Sequence, residues 1–246
     1  MEKSGYMTLW ISNQQQIAVN GNSVGEIANL SQKSIFVSND SRGFDERVLS
    51  PLQKELLQNQ QQFFVIHLMG AHGWYGDRYP NNFTKFDTLD IDQKSRAIAL
   101  YDNAILYNDY VLNEIFKRFS FSDSLVIYIS DHGEEVYEGG EFAGHVDTRI
   151  NRFMVEIPML VYVSDIFIQK HPKIYEKLKN SVHRSYMSDD LIHTILDIAG
   201  IQTPDFDPTR SIVNEKFNDQ RQRIVGGIGG KDYDKELRGQ KSQYEL

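Results

Sequence analysis

The chain has 246 residues, of which 40% are hydrophobic and 24% are charged, and its formal net charge is −8. These proportions are ordinary for a globular protein, and the length suffices for one substantial domain, which we assign to residues 1–230. The negative charge argues against nucleic-acid binding, for which a basic face is expected, and no apolar run approaches the roughly 18 residues of a membrane helix.

Short apolar runs rich in strand-forming residues alternate with helical patterns along the chain. The predicted strands, in chain order, are residues 7–11, 34–37, 63–68, 125–129, 159–163 and 223–225. Helices are predicted at about 92–119 and at 187–199, where apolar residues recur at intervals of three and four. This alternation predicts an α/β fold with a mostly parallel sheet. The tail, residues 231–246, has no apolar period and is predicted to be flexible.

The predicted strand at 125–129 leads directly into Asp131, His132 and Gly133. Ligands of α/β proteins gather at the carboxyl ends of strands, and a carboxylate with an imidazole offers oxygen and nitrogen ligands to a divalent metal. Zinc or manganese fits this pair best, and Gly133 lets the backbone turn away without a Cβ clash. The residues alone leave a second interpretation open, in which Asp131 caps a helix and His132 is an ordinary loop histidine.

Two further histidines lie beside glycines. His72 follows the predicted strand at 63–68, and His145 lies in a segment rich in Gly and Glu that is predicted to be a loop. If the strands are parallel neighbours, His72 and His145 lie with Asp131 and His132 along one rim of the sheet. Arg78, beyond His72, is interpreted as an ordinary surface arginine, with the alternative that it steers an anionic group near His72.

Several motifs, in the same order, resemble those of the membrane-anchored phosphoethanolamine transferases, a branch of the sulfatase and alkaline phosphatase superfamily. The matching segments are G-Y-x-T-x-W-I-S-N-Q at 5–14, H-x-x-G-x-H-G with R-Y-P at 67–80, Y-D-N-x-x-x-Y-x-D-Y at 101–110, S-D-H-G-E at 130–134, E-I-P-M-L at 156–160 and S-D-D-L with a histidine at 188–193. The resemblance extends from residue 5 to about 230. It implies a three-layer α/β sandwich with a mostly parallel central sheet, like that of alkaline phosphatases and sulfatases.

The resemblance also implies a chemistry. In this family phosphoethanolamine passes from a phospholipid through a covalent enzyme intermediate to lipopolysaccharide, a lipid A-type acceptor or another envelope glycan. Asp131 and His132 are then metal ligands, with zinc preferred and manganese, magnesium or calcium as alternatives. His72 and His145 contact phosphate oxygens or protonate the leaving group, and Glu134 or Glu135 orients a histidine. The domain is expected in the periplasm, joined to the inner membrane through an upstream segment.

The family's threonine nucleophile and an acidic metal ligand lie upstream of the strand that begins here near Met1. We therefore expect this chain to lack the nucleophile-bearing segment and to be inactive alone; Thr8 has no family counterpart as nucleophile. Glu135 stands where the family commonly has serine, and the roles of Asp102 and Asn103 stay open. The alternatives are a hydrolase of phosphate or sulfate esters from the same superfamily and a non-catalytic fragment that keeps the fold.

Overall fold

The computed structural model describes residues 1–16, 23–37, 43–57, 60–89, 91–226 and 229–244. The chain divides into two compact units, Met1–Arg118 and Phe119–Leu246. The assignment of residues 1–230 to one domain stays a prediction.

The first unit is built on a parallel three-stranded sheet. Its elements are β1 (Met7–Ser12), α1 (Ser23–Ala28), β2 (Lys33–Phe36), α2 (Leu49–Glu55), β3 (Gln62–His67) and α3 (Gln93–Phe119). The strand order is β2-β1-β3, with Leu9 of β1 opposite Lys33 on one side and Phe64 on the other. Leu9 and Ile11 are buried, which places the core of this unit against the central strand. The predicted strands of this unit and its long helix are confirmed to within about a residue at each end.

Asn103, on α3, is a structural residue of the first unit. It is fully buried, and its Oδ1 accepts hydrogen bonds from the backbone N–H groups of Lys85 at 2.8 Å and Phe86 at 2.9 Å. Its Nδ2 donates to the carbonyl oxygen of Phe86 at 3.0 Å. The side chain thus replaces secondary structure as the hydrogen-bond partner of a loop that packs on α3.

Replacing Asn103 by leucine should lower the free energy of unfolding by about 1–3 kcal/mol, because a fully buried amide that accepts from two partly buried backbone N–H groups is lost. Asp102→Asn is the matched control. Burial raises the pKa of the Asp102 carboxyl, so its charged form is disfavoured in the folded state, and removing the charge should leave stability at pH 7 equal or slightly higher. Urea unfolding of both variants at pH 7 measures the difference. Equal stability of Asn103→Leu and the parent would contradict this account.

The second unit contains short strands and helices. They are β4 (Leu125–Ile129), β5 (Glu135–Val136), β6 (Ala143–Gly144), α4 (Arg152–Val155), β7 (Met159–Val163), α5 (Asp165–Lys170), α6 (Pro172–Ser181), α7 (Leu191–Ile198), β8 (Ile224–Val225) and β9 (Lys231–Asp232). β4 pairs with β7 in antiparallel fashion, with Ile129 opposite Met159 and Leu125 opposite Val163. β5 and β6 form a short antiparallel hairpin, as do β8 and β9.

The antiparallel pairing of β4 departs from the expected run of parallel neighbours. Both β4 and β7 are short continuous apolar runs, and such runs identify a buried strand without identifying its direction. Sheets that are mostly parallel often include an antiparallel strand. His72, Asp131, His132 and His145 were expected along one rim only if their strands were parallel neighbours. Because β4 and β7 are antiparallel, that condition is not met for this pair of strands.

The described part of the predicted tail has secondary structure. Lys231–Asp232 pairs with β8, and Tyr233–Leu237 forms one turn of π-helix in which Leu237 is buried. The flexibility of residues 231–246 stays a prediction. In the part of the chain that the structure describes, no helix combines the length and apolarity that crossing a membrane requires.

Candidate metal centre

The corner after β4 is held by close backbone packing at Gly133. The Gly133 N–H donates to the carbonyl oxygen of Met154, on α4, at 2.8 Å. A Cβ atom at Gly133 would lie 2.3 Å from the carbonyl oxygen of Phe153, well inside contact distance, so only glycine fits. On the other side of the corner, the Oγ of Ser130 donates a hydrogen bond to the carbonyl oxygen of His132 at 2.6 Å. The backbone at His132 is therefore fixed from both sides.

The His132 ring is oriented with one nitrogen toward the backbone and one toward Asp131. Its Nδ1 lies 3.0 Å from the carbonyl oxygen of Gly133, and its Nε2 lies 3.9 Å from Asp131 Oδ1. A metal-binding histidine commonly donates its second ring N–H to a carbonyl, and this arrangement leaves Nε2 as the ligand atom. The Asp131 side chain is 90% exposed, so its oxygens are accessible. The structure thus brings the two predicted ligands together, and metal binding by them stays a prediction.

The alternative role of Asp131 as a helix cap does not match the structure. After β4 the chain passes through a short loop into β5, and Asp131 Oδ1 accepts a hydrogen bond from the N–H of its neighbour His132 at 3.1 Å. Asp131 therefore has a local hydrogen bond that shapes the loop.

The β5–β6 hairpin brings His145 to His132. The two rings lie 3.8 Å apart between centroids, and His145 Nδ1 lies 2.7 Å from Glu134 Oε1. Ligand atoms of His132, Glu134 and His145 all lie within 4.8 Å of one another. The Glu134 side chain is only 8% exposed, whereas that of His145 is 42% exposed. Glu134 thus contacts His145 as an orienting residue can, and its Oε1 also lies 4.0 Å from His132 Nδ1.

The donor set suits zinc. Imidazole nitrogens with carboxylate oxygens are ligands that zinc accepts in a tetrahedral arrangement, and three protein ligands leave one position open. Magnesium and calcium prefer six or more oxygen ligands, which the histidines do not supply. The residues present therefore fit a zinc ion better than they fit either alkaline-earth ion.

A cavity of about 880 Å³ opens beside Asp131 and His132 within the second unit. Much of its wall is the apolar face of β4 and β7, and its polar groups include Glu156 and Tyr233. The Tyr233 hydroxyl donates to Glu156 Oε1 at 2.6 Å, and burial raises the pKa of Tyr233 to about 12. This hydroxyl therefore stays protonated at neutral pH and continues to donate.

His72 belongs to the first unit, in the turn after β3. Its ring is exposed. The turn is fixed by Asp45, a buried carboxylate that accepts hydrogen bonds from the N–H groups of Met69 and Gly70, each at 2.8 Å. Burial raises the pKa of Asp45. Sequence reasoning missed Asp45, because it lies 24 residues before the turn it holds.

The interpretation of Arg78 as a surface residue is wrong. Arg78 is buried, and its Nε donates to the carbonyl oxygen of Gly73 at 3.1 Å, next to His72. An arginine in a loop gives no sequence signal of such a backbone contact.

The chain belongs to the sulfatase family, whose pattern matches residues 1–201. Over 235 residues it is 34% identical to the phosphoethanolamine transferase EptC of Escherichia coli O18:K1:H7, an alignment that covers 89% of this chain and 40% of that protein. Over 236 residues it is also 34% identical to the phosphoethanolamine transferase CptA of Salmonella typhimurium, again with 89% and 40% covered. The chain thus spans about 40% of the length of these relatives.

The structure is similar to the crystal structure of the C-terminal periplasmic domain of EptC from Escherichia coli in complex with zinc. The TM-score is 0.87 at 31% sequence identity, and the match covers 97% of this chain and 71% of that chain. The α/β fold of the sulfatase type and the resemblance to phosphoethanolamine transferases are therefore confirmed. The individual site residues, His72, Asp131, His132 and His145, stay predictions.

Zinc binding by the 246-residue chain should depend on the clustered histidines. We expect weak binding by the parent, because Asp131 and His132 are too few for a closed site. His132→Ala removes a ligand, and His145→Ala removes the partner of Glu134, whose carboxylate also lies beside His132, so each variant should bind zinc about tenfold more weakly or worse. The control is His183→Ala, which removes an exposed histidine of the same unit. Competition with a chromophoric chelator gives the affinities. Equal affinity in all four proteins would show that the cluster does not bind zinc.

Proposed function

We propose that this chain is part of the catalytic domain of a metal-dependent phosphoethanolamine transferase of the bacterial envelope. The observation that carries the proposal is the gathering of His132, Glu134 and His145 beside Asp131, in a member of the sulfatase family that is 34% identical to EptC. The function is transfer of phosphoethanolamine from a phospholipid to lipopolysaccharide or another envelope glycan.

In this proposal Asp131 and His132 hold a divalent metal, with zinc the best fit to the donor set. A zinc ion held by these two residues would supply Lewis-acid chemistry toward phosphate oxygens and would lower the pKa of an attacking hydroxyl. The Gly133 O to His132 Nδ1 contact keeps the ring from rotating, so that Nε2 stays directed toward Asp131. The protein's own contribution is this fixed geometry.

His145 is the proposed acid of the second unit. Its Nδ1 is engaged by Glu134 Oε1 at 2.7 Å, which leaves Nε2 to contact a phosphate oxygen or to protonate the leaving group. When both ring nitrogens carry protons, Nδ1–H donates to Glu134 Oε1 and Nε2–H is the proton available to the leaving group. His72 has the corresponding role in the first unit, where its exposed ring follows a turn that Asp45 holds rigid.

The relatives support the proposed substrates and location. One relative from Salmonella typhimurium, 26% identical over 173 residues, is a Kdo(2)-lipid A phosphoethanolamine 7''-transferase, which supports a lipid A-type or core glycan acceptor. The similar Escherichia coli domain is the C-terminal periplasmic domain of its protein, which supports a periplasmic location for this chain. A connection to the inner membrane through an upstream segment is part of the proposal. No nucleic acid is proposed as a partner.

Hydrolysis of a phosphate or sulfate ester is the second candidate, and the family match over residues 1–201 favours it. The two functions differ in the molecule that receives the transferred group, which is a glycan hydroxyl in transfer and water in hydrolysis. In an assay with a glycan acceptor, transfer yields a modified acceptor, whereas hydrolysis yields free phosphoethanolamine or an inorganic ion.

The 246 residues by themselves should not transfer or release phosphoethanolamine above background. Thr8 lies within β1, where its Oγ1 accepts a hydrogen bond from the Gln32 N–H at 3.0 Å, and a hydroxyl held in a strand is poorly placed to attack. Incubation of the purified chain with a fluorescent phosphatidylethanolamine tests this expectation. Turnover that a chelator abolishes would place the nucleophile within these residues, and Thr8→Ala would then identify or exclude it.

In a protein that carries the nucleophile-bearing segment, His72→Ala and His145→Ala should each lower transfer by about 10²-fold or more, the usual scale for a positioned acid or base. The melting temperature should stay within the range of the parent, because both rings are substantially exposed. His183→Ala serves as the histidine control and should retain full activity. A variant that transfers at the parental rate would remove that histidine from the site.

A further inference from the structure

We propose that Glu135 is a positioning residue of the candidate metal centre. Its carboxylate links the hairpin of residues 135–144 to Asn151, and Asn151 in turn caps α4. These hydrogen bonds fix Glu134 and His145 relative to His132. The inference rests on the proposed metal site, but the contacts that carry it belong to the protein alone.

Glu135 is a fully buried carboxylate whose two oxygens both accept hydrogen bonds. Oε1 accepts from the N–H of Gly139 at 3.1 Å, and Oε2 accepts from Nδ2 of Asn151. Among the residues that the structure describes, no lysine or arginine forms an ion pair with it. A buried charge without a counterion is costly and persists where its hydrogen bonds hold a required geometry.

Gly139 packs closely against the carboxylate of Glu135. A Cβ atom at Gly139 would lie 2.7 Å from Oε1 of Glu135, so the N–H of residue 139 reaches the carboxylate because that residue is glycine. The loop of the hairpin is therefore folded around the carboxylate.

Strand pairing connects Glu135 to the candidate ligands. Glu134 immediately precedes β5 and contacts His145, whereas the side chain of Glu135, the first residue of β5, is fully buried. Glu135 is paired in register with Gly144, the residue before His145. A shift of the Glu135 backbone therefore moves Glu134 and His145 together.

Asn151 extends the connection to the corner after β4. Its Oδ1 caps α4 by accepting from the N–H groups of Phe153 at 3.1 Å and Met154 at 3.3 Å. The carbonyl oxygen of Met154 in turn accepts from the N–H of Gly133. The hairpin with His145 and the corner with His132 are thus joined through one asparagine side chain.

A swap of donor and acceptor tests the Glu135–Asn151 contact. Glu135→Gln keeps the size of the side chain but cannot accept from both Gly139 and Asn151, and Asn151→Asp places two carboxylates against each other. In the double variant the glutamine Nε2 donates to the new aspartate, Oε1 still accepts from Gly139, and the other aspartate oxygen still caps α4. Each single variant should therefore lose the hydrogen bond between positions 135 and 151, and the double variant should restore it.

The first readout is the histidine geometry of the metal-free 246-residue chain. Nuclear Overhauser effects between the rings of His132 and His145, whose centroids are 3.8 Å apart, should be strong in the parent. They should weaken in both single variants and return in the double variant. Unchanged ring-to-ring effects in Glu135→Gln would overturn the inference whether or not the protein binds zinc.

The second readout is zinc affinity, measured with Zn²⁺ alone and well below the melting temperature of every variant. Each single variant should bind about tenfold more weakly, and the double variant should recover most of that loss. No zinc binding by the parent would count against the proposed function, and the ring-to-ring effects would still decide the role of Glu135.

Ser164→Ala is the stability control for both readouts. Ser164 is buried in the same unit, and its Oγ caps α5 by accepting from the N–H of Phe167 at 3.0 Å. It follows Val163, which pairs with Leu125 at the end of β4 opposite to Asp131. This variant should melt at a lower temperature with unchanged ring contacts and zinc affinity. If Ser164→Ala lost as much zinc affinity as Glu135→Gln, Glu135 would be a general stabilising residue and not a positioning residue.

Discussion

The contact between the Gly133 backbone and helix α4 is the constraint on which the candidate site depends. The carbonyl oxygen of Phe153 occupies the space that any Cβ atom would need, and the N–H of Gly133 is bonded to Met154. The end of β4 is therefore seated on α4, and Asp131 and His132 project from a corner that cannot shift. A metal site needs this rigidity, because misplaced ligands lose affinity quickly.

Buried carboxylates hold the histidine-bearing loops in both units. Asp45 accepts two N–H groups of the turn before His72, and Glu135 accepts one N–H group, that of Gly139, in the hairpin before His145. A carboxylate binds two donors at once with charge-assisted strength, so it can shape a loop that has no regular secondary structure. Burying a carboxylate is unfavourable by itself. The position of a buried carboxylate therefore indicates a loop whose geometry must stay fixed. Both loops carry a histidine for which we propose a role in phosphate chemistry.

Local sequence patterns predicted most of the fold and the central pair of the site. The strands at 125–129 and 159–163 were predicted at their observed bounds, because an apolar run is a local signal. The direction of pairing between them was not predicted, since it depends on the path of the chain rather than on the run. The role of Glu134 was foreseen only in outline, and the contacts of Asp45 and Asn151 not at all. The bonds from Asp45 to Met69 and from Asn151 to Glu135 join residues 16 or more positions apart and have no periodic signature.

We propose that Asp131 and His132 bind one metal ion at the end of β4. Anomalous diffraction at the zinc absorption edge, from crystals of the 246-residue chain grown with zinc, tests it most directly. We predict an anomalous peak about 2.0–2.2 Å from His132 Nε2 and from an Asp131 carboxylate oxygen. Peaks confined to other histidines, with none at this corner, would contradict the claim.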